Sequence, residues 1–278
     1  MNTRYLQVQG AKIAYEDTGV GTGSGPLVVL VPGMGSMRAE YRFLAPQLAS
    51  AGYRAISMDL RGEGESSTNW KDFSVSAIGS DVLALIRSLD AGPAMVIGAS
   101  YGAGAAVSAA AEAPELVKGL ALIGPVVRGE GSWLSKLFYS ALLSRPWGPG
   151  IWLRYLSKLF PSRKPADFVQ YCAALKANLE EPGRMEAFLG MINASNSGSE
   201  ERLARVNAPA LVVMGSKDPD FKDPRLEAEW VAERLNGRSE IVEGAGHYPH
   251  AEMPEVTGPL MLSFSQTLME EKEGANVA

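Results

Sequence analysis

The chain has 278 residues, of which 46% are hydrophobic and 21% are charged, and its net charge is −5. This composition is ordinary for a globular protein, and the acidic balance provides no basic surface of the kind that binds nucleic acid. A single cysteine, Cys172, excludes an internal disulfide. The polar residues 1–10 do not resemble a signal peptide, and no apolar run reaches the roughly 20 residues of a membrane span, so we expect a cytoplasmic protein.

Aliphatic strands alternate with amphipathic helices along most of the chain, starting with two short strands around a turn at Gly10. The predicted strands are residues 5–8, 12–16, 27–31, 54–58, 94–98, 120–123, 210–214 and 239–242. The predicted helices outside the middle of the chain are residues 38–50, 75–89, 101–113, 225–235 and 256–269. This alternation predicts an α/β fold with a mostly parallel sheet of eight strands and helices on both faces.

Residues 128–206 interrupt the alternation with helical patterns alone. The predicted helices in this segment are residues 133–143, 151–160, 166–178 and 184–193. The sequence therefore predicts a core of residues 1–127 and 207–278 with an inserted all-helical segment of residues 128–206. The segment holds three of the five tryptophans and has eleven basic and seven acidic residues. Its helices either pack aromatic side chains onto the core or form a lid over an apolar pocket, and the two readings are compatible.

The pentapeptide Gly98-Ala99-Ser100-Tyr101-Gly102 stands between a predicted strand and a predicted helix. A serine at so sharp a turn is forced into a strained backbone conformation, and small residues two positions away on either side make room for it. Its hydroxyl then stands in front of a helix N-terminus, where free N–H groups favour negative charge. The alternative is a glycine-rich turn whose serine has no catalytic role, because this pattern also arises by chance.

A serine nucleophile needs a base and a carboxylate that orients the base. The chain has only two histidines, His247 and His250, and both follow the last predicted strand. We favour His247 as the base, because its glycine-rich loop leaves the same edge of the sheet as Ser100. We favour Asp218, in the turn after the preceding strand, as the acid; Asp220 and Asp223 are its competitors, and an ordinary turn aspartate is the alternative reading.

The order Ser100, Asp218, His247 is that of the α/β-hydrolase fold. The chain resembles a lid-bearing serine hydrolase of the α/β-hydrolase superfamily over nearly its whole length. Three stretches carry the resemblance besides the triad: Val31-Pro32-Gly33-Met34-Gly35, Asp59-Leu60-Arg61-Gly62-Glu63-Gly64-Glu65-Ser66 and Gly246-His247-Tyr248-Pro249-His250-Ala251-Glu252. The resemblance implies that residues 128–206 cap the active site. It also implies an oxyanion hole formed by the backbone N–H groups of Met34 and Tyr101.

The chain departs from many relatives in one respect, since Pro32 stands where they have a histidine before the glycine of the oxyanion loop. A backbone donor can survive this change, but the side chain that would brace the loop is absent. The phenol of Tyr101, next to the nucleophile, either contacts substrate or packs under the lid.

The resemblance implies a serine hydrolase that cleaves a carboxylic ester or related acyl substrate, without cofactor or metal. The alternatives with the same triad are hydrolysis of a carbon–carbon bond in a vinylogous diketone and cofactor-free perhydrolysis of the haloperoxidase type. A more distant alternative is a ligand-binding protein on a hydrolase scaffold. The expected partner is a small apolar acyl compound, with no nucleic acid and no membrane span, and the oligomeric state stays open.

A dinucleotide-binding oxidoreductase is the rival from another class of fold. A strand followed by Gly33-Met34-Gly35, with Asp59 at the end of the next strand, imitates the cofactor fingerprint. The imitation fails at Arg38, where the third glycine should allow close packing, and it leaves Ser100, Asp218 and His247 unexplained.

Overall fold

The computed structural model describes residues 2–19, 25–128, 133–144, 146–194 and 198–275. Its strands are β1 (Arg4–Val8), β2 (Ala11–Asp17), β3 (Leu27–Val31), β4 (Arg54–Met58), β5 (Ala94–Ala99), β6 (Val117–Ile123), β7 (Ala210–Gly215) and β8 (Arg238–Val242). They form one sheet in the order β1-β2-β4-β3-β5-β6-β7-β8. The pairings of β2 with β1 and with β4 are antiparallel, and all others are parallel.

Helices cover both faces of this sheet. The α-helices are α1 (Leu44–Ser50), α2 (Val75–Leu89), α3 (Tyr101–Glu112), α4 (Trp133–Leu142), α5 (Gly148–Lys158), α6 (Phe168–Leu179), α7 (Arg184–Asn193), α8 (Ser199–Leu203), α9 (Pro224–Arg234), α10 (Pro249–Glu252) and α11 (Pro254–Ala275). A 3₁₀ helix spans Arg38–Tyr41. Among the described residues, no helix combines the length and the apolar character that crossing a membrane requires.

The predicted fold class is confirmed, because an eight-stranded, mostly parallel sheet with helices on both sides is what the structure contains. Strand β3 is the clearest example: all five residues from Leu27 to Val31 are buried, as expected for a strand covered on both faces. The parallel strands β3, β5, β6, β7 and β8 are neighbours, so the loops that follow them leave one edge of the sheet.

The single helix predicted for residues 38–50 is wrong, because the structure divides it into the 3₁₀ helix and α1. Tertiary contacts hold both ends of the 3₁₀ helix. At its first residue, the backbone N–H of Arg38 donates to Asp59 Oδ1 at 2.6 Å. In the dividing turn, Arg42 forms a two-pronged ion pair with Asp167, with both N···O distances 2.6 Å. Asp59 therefore binds the first residue of the 3₁₀ helix, whereas the dinucleotide fingerprint would require it to bind a cofactor. The short helices α8 and α10 were not predicted, since four or five residues carry too little periodicity to detect.

Helices α4 to α8 all lie between β6 and β7 in the chain. Most buried side chains of α5, α6 and α7 join the hydrophobic cluster on one face of the sheet, including Trp152, Leu156, Tyr171, Leu175, Met185 and Phe188. Met191 of α7 and Leu203 of α8 join the cluster on the other face. The segment therefore packs firmly onto the core through its aromatic and aliphatic face.

The N-terminus of α3 approaches the end of β3 very closely. A methyl group at Gly98 would lie 2.5 Å from Gly102 O and 2.8 Å from Ala103 Cα. A methyl group at Gly102 would lie 2.5 Å from Val31 O, and closer still to Pro32 O. Both glycines are therefore required for this packing, since the atoms in the way belong to backbone that is itself in the sheet or next to it.

We expect Gly102→Ala to lower the free energy of unfolding by at least about 2 kcal/mol, because the added methyl overlaps rigid backbone. Denaturant unfolding measures the change. Gly150→Ala is the matched control: it lies in α5 with no atom within 4 Å of the added methyl. That change is expected to be neutral or stabilising by up to about 1 kcal/mol. Equal stability of Gly102→Ala and the unaltered protein would contradict the packing argument.

Candidate active site

Ser100 occupies the turn between β5 and α3 in a conformation that non-glycine residues rarely adopt. Its φ is 52° and its ψ is −118°. The surrounding backbone holds this strain, since the N–H of Ser100 donates to Ile123 O at 2.8 Å and Val126 N–H donates to Ser100 O at 3.3 Å. The residue is only 7% exposed. Strain of this kind persists where the structure over-determines it, and it is concentrated at functional sites.

His247 and Asp218 form a buried hydrogen-bonded pair beside this turn. The loop after β8 carries His247, the turn after β7 carries Asp218, and His247 Nδ1 lies 2.7 Å from Asp218 Oδ2. Asp218 Oδ1 accepts a hydrogen bond from Asp220 N at 3.0 Å, which orients the carboxylate. The backbone N–H of His247 donates to Leu159 O at 3.0 Å. The ring is therefore held at one nitrogen and through its backbone.

The other ring nitrogen, Nε2, is buried and has no hydrogen-bond partner among the described residues. The ring lies beside the end of β6, because a methyl group at Gly124 would be 3.0 Å from Nδ1. Ser100 bonds to Ile123, the residue just before Gly124. Ser100 and His247 thus flank the end of the same strand, and the nitrogen with no partner is the one not used by Asp218.

Three carboxylates act on the charge of this ring. Burial disfavours the imidazolium, but Asp218 and then Asp220 and Glu40 favour it more strongly, so the pKa of His247 is raised above its ordinary value. Asp220 Oδ2 is 3.6 Å from Nε2. The neutral ring, which can accept a proton, is therefore the main form only above this raised pKa.

The competing residues have other partners. His250 is 1% exposed, its Nε2 lies 3.2 Å from Glu40 Oε1, and its ring stacks on Tyr41 with centroids 4.9 Å apart. Asp223 caps α9 by accepting a hydrogen bond from Leu226 N at 3.1 Å. Neither side chain is paired with His247, whereas Asp218 is.

The loop of residues 32–37 follows β3 and lies against Ser100; we call it the β3 loop. A methyl group at Gly33 would be 3.2 Å from Ser100 Cβ. Among the described residues, no protein acceptor takes the backbone N–H of Met34 or of Tyr101. The phenol of Tyr101 is 3% exposed and donates to Phe73 O at 2.9 Å, so it packs inward.

Helix α5 and its C-terminal residue contact all three loops around Ser100. Trp152 Nε1–H donates to Gly35 O of the β3 loop at 2.7 Å. One turn later, the Tyr155 hydroxyl donates to Asp220 Oδ1. Leu159, at the end of the helix, accepts the N–H of His247. Helix α5 is therefore attached to the β3 loop, to Asp220 and to His247, and no pattern local to Trp152 or Tyr155 predicts these contacts.

Asp218, Asp220 and His247 also bring three potential metal-ligand atoms within 4.8 Å of one another. Most of their atoms are already engaged: Asp218 Oδ2 faces His247 Nδ1, Asp218 Oδ1 accepts from Asp220 N, and Asp220 Oδ1 accepts from Tyr155. An ion would find only Asp220 Oδ2 and His247 Nε2, fewer than the three protein ligands typical of catalytic zinc. The geometry fits an acid–base pair better than a metal centre.

Sequence and fold both match known proteins. A model of the alpha/beta hydrolase family matches residues 28–258. A Mycobacterium tuberculosis protein named as a non-heme bromoperoxidase, BpoC, is 30% identical over 268 residues, covering 91% of this chain and 97% of its own. The crystal structure of a bromoperoxidase from Bacillus anthracis superposes with a TM-score of 0.82 at 19% identity, covering 95% and 100% of the two chains. The structure of a thermophilic esterase from Thermogutta terrifontis superposes with a TM-score of 0.79 at 24% identity, covering 96% of this chain and 99% of the esterase chain.

We expect Asp220→Asn to move the titration of His247 to lower pH, because one of the carboxylates that raise its pKa loses its charge. The imidazole proton resonances report the midpoint directly, and a chain with two histidines gives a readily assigned spectrum. Asp223→Asn is the matched control, since asparagine caps a helix as well as aspartate does. An unchanged or higher midpoint in Asp220→Asn would contradict the electrostatic argument.

Proposed function

The chain belongs to the alpha/beta hydrolase family, and from this premise we propose that it is a serine hydrolase cleaving a carboxylic ester or related acyl substrate. Ser100 is the proposed nucleophile, His247 the base and Asp218 the orienting acid. One observation carries the proposal: a buried imidazole, 2.7 Å from a carboxylate at one nitrogen, has no hydrogen-bond partner at its second nitrogen and lies beside a strained serine.

The reaction begins when Ser100 Oγ attacks the carbonyl carbon and its proton passes to His247 Nε2. Asp218 holds the ring by accepting from Nδ1–H and stabilises the imidazolium that forms. The proton then goes from Nε2 to the leaving alcohol, and the carbon–oxygen bond to that alcohol breaks. This leaves an acyl group on Ser100 and a neutral His247.

Water resolves the acyl-enzyme by the same steps in reverse. His247 takes a proton from the water as it attacks the acyl carbon, and then returns the proton to Ser100 Oγ as the carboxylic acid leaves. Both halves pass through a tetrahedral oxyanion. The unused N–H groups of Met34 and Tyr101 are the proposed donors to it, and the loss of one such donor typically costs about 2.7–4 kcal/mol.

The surroundings of Ser100 favour an apolar acyl group. The rings of Trp152 and Phe188 have centroids 4.8 Å apart and lie close to Gly35 in the β3 loop. These rings come from α5 and α7, within the segment of residues 128–206 that we propose to be the cap. An apolar roof excludes water and strengthens hydrogen bonds to a developing charge. We therefore propose small to medium apolar acyl compounds as the substrate class.

Perhydrolysis is the second candidate, and the name of the 30% identical relative favours it. In this reaction hydrogen peroxide replaces water as the second nucleophile. Attack of its oxygen on the acyl-enzyme, with transfer of its proton through His247, releases a peroxycarboxylic acid and free Ser100. The same triad serves both reactions, so the choice depends on which nucleophile reaches the acyl carbon.

We expect Ser100→Ala to lower turnover of an acyl ester at least about thousandfold with the fold retained. A fluorophosphonate probe should label the unaltered protein on Ser100 and leave the variant unlabelled. Ser108→Ala is the matched control, because it removes a buried hydroxyl from α3, the helix that follows Ser100, and it should keep full activity. Labelling elsewhere, or turnover that survives in Ser100→Ala, would refute the proposed nucleophile.

The acidic limb of kcat/KM should follow the titration of His247, since only the neutral ring accepts the proton of Ser100. Because its pKa is raised, activity should fall as pH drops through a value above 6.5, the ordinary value for histidine. The rate profile and the imidazole titration of the same protein are compared. A limb that stays flat through the measured midpoint would contradict the role of His247.

A substrate panel then separates the chemistries. It contains acyl esters of graded chain length, a lactone, a thioester and a vinylogous diketone, each with Ser100→Ala as control. A parallel series adds hydrogen peroxide and measures peroxycarboxylic acid. Ester turnover that exceeds peracid formation at equal acyl-enzyme flux supports hydrolysis, and the reverse supports perhydrolysis.

A further inference from the structure

Two buried carboxyl groups accept hydrogen bonds from the backbone of the β3 loop. The N–H of Gly33 donates to Glu40 Oε2 at 3.2 Å, and the N–H of Gly35 donates to Glu63 Oε1. Glu40 is 4% exposed and Glu63 is 2% exposed. The N–H of Met34, between the two glycines, has no acceptor among the described residues. The donors on either side of Met34 are thus used up and the middle one is left available.

Each carboxyl group is held by other parts of the fold. Glu40 stands in the 3₁₀ helix, and its Oε1 lies 3.2 Å from Nε2 of His250, whose ring stacks on Tyr41. Glu63 stands in the turn after β4, where its N–H donates to Leu60 O at 3.1 Å and its carbonyl accepts from Ser66 N at 2.9 Å. Neither carboxyl group belongs to the β3 loop, so both act on it as fixed external acceptors.

Other polar contacts of the β3 loop include Trp152 Nε1–H, which donates to Gly35 O at 2.7 Å, and the Tyr171 hydroxyl, which lies 2.7 Å from Ser36 Oγ. Neither of these contacts takes a backbone N–H of the loop. The loop pairs with no strand beyond Val31, and Pro32 has no N–H to donate. Gly35 has a φ of +67°, a conformation that glycine adopts without penalty but does not enforce. Something outside the loop must therefore select its shape, and the two carboxyl groups are positioned to do so.

The charge of such acceptors matters beside a developing oxyanion. Burial, together with the nearby carboxylates of Asp59 and Glu40, raises the pKa of Glu63 well above its ordinary value. The raised pKa favours the protonated, uncharged carboxyl group, whose carbonyl oxygen still accepts the Gly35 N–H. A neutral acceptor holds the loop without adding a negative charge that would oppose the oxyanion.

We propose that Glu40 and Glu63 are positioning residues for the reaction. Glu40 binds the N–H of Gly33 and Glu63 binds the N–H of Gly35, and together they direct the Met34 N–H toward the oxyanion formed at Ser100. The role of His250 is to hold Glu40 in place. This inference rests on the proposed function, because it assigns a purpose to a loop shape that matters only if Ser100 attacks a carbonyl.

The test compares two variants of Glu63 that differ in one property. Glu63→Gln keeps a carbonyl oxygen acceptor at the same reach, whereas Glu63→Met has a similar length and no such acceptor. We expect the first to keep kcat within about threefold and the second to lower kcat at least about tenfold, since a displacement of about 1 Å can cost about a hundredfold. KM should change little in both, because the donor acts on the transition state.

A trifluoromethyl ketone, which forms an oxyanion on the serine, provides a second readout. Its inhibition constant should rise in Glu63→Met by the same factor by which kcat/KM falls, while Glu63→Gln stays near the unaltered protein. Glu40→Gln and Glu40→Met form an independent pair for Gly33. Both remove a charge that raises the pKa of His247, so they are compared with each other, at a pH above the His247 titration, and Glu40→Met is expected to have the lower kcat. Thermal unfolding of each variant is measured alongside.

A folded Glu63→Met protein with unaltered kcat would overturn the inference, and so would Glu63→Gln that loses as much activity as Glu63→Met. If Glu63→Met does not fold, Glu63→Asn replaces it, because its neutral amide is one methylene too short to reach Gly35 and the same outcomes apply. Failure of the proposed function is distinguishable: in that case fluorophosphonate does not label Ser100 even in the unaltered protein.

Discussion

Close contact between two backbone segments, the N-terminus of α3 and the end of β3, is the constraint on which the site depends. Gly102 allows this contact, since a methyl group there would overlap the backbone of Val31 and Pro32. Gly98, in β5, allows the same end of α3 to pass close to β5, since a methyl group there would overlap the backbone of Gly102 and Ala103. The contact forces Ser100 to turn from strand to helix within one residue, at φ 52°. It also brings the β3 loop against Ser100. The strained residue and the adjacent loop are thus two consequences of one packing arrangement.

Buried carboxyl groups hold the segments around this contact in place by accepting their hydrogen bonds. Asp218 Oδ2 lies 2.7 Å from His247 Nδ1, and Asp59 accepts a hydrogen bond from the backbone N–H of Arg38. Glu40 and Glu63 accept hydrogen bonds from backbone N–H groups of the β3 loop. Each carboxyl group accepts hydrogen bonds from N–H groups, which is what makes its burial tolerable. At Glu63 the hydrogen bonds compensate less, and burial together with the neighbouring carboxylates raises the pKa well above its ordinary value.

Helix α5 connects these parts across the site. Trp152, Tyr155 and Leu159 contact the β3 loop, Asp220 and the His247 backbone respectively. A displacement of α5 would therefore disturb the oxyanion side and the acid–base side together. Under the proposed function, this coupling makes the segment of residues 128–206 a part of the catalytic geometry as well as a wall of the pocket.

Local patterns in the sequence were enough for the strand–helix alternation, the turn at Ser100 and the position of His247 after the last strand, because each depends on neighbours within a few residues. The pairing of Asp218 with His247 agrees with that expectation, but its 2.7 Å distance is a property of the fold. Only the tertiary structure decided the break at Arg42, the partners of His250 and the attachment of Glu40, Glu63, Trp152 and Tyr155 to the site. These contacts join residues far apart in the chain, such as Trp152 and Gly35, separated by 117 positions, and single-sequence periodicity carries no information at that range.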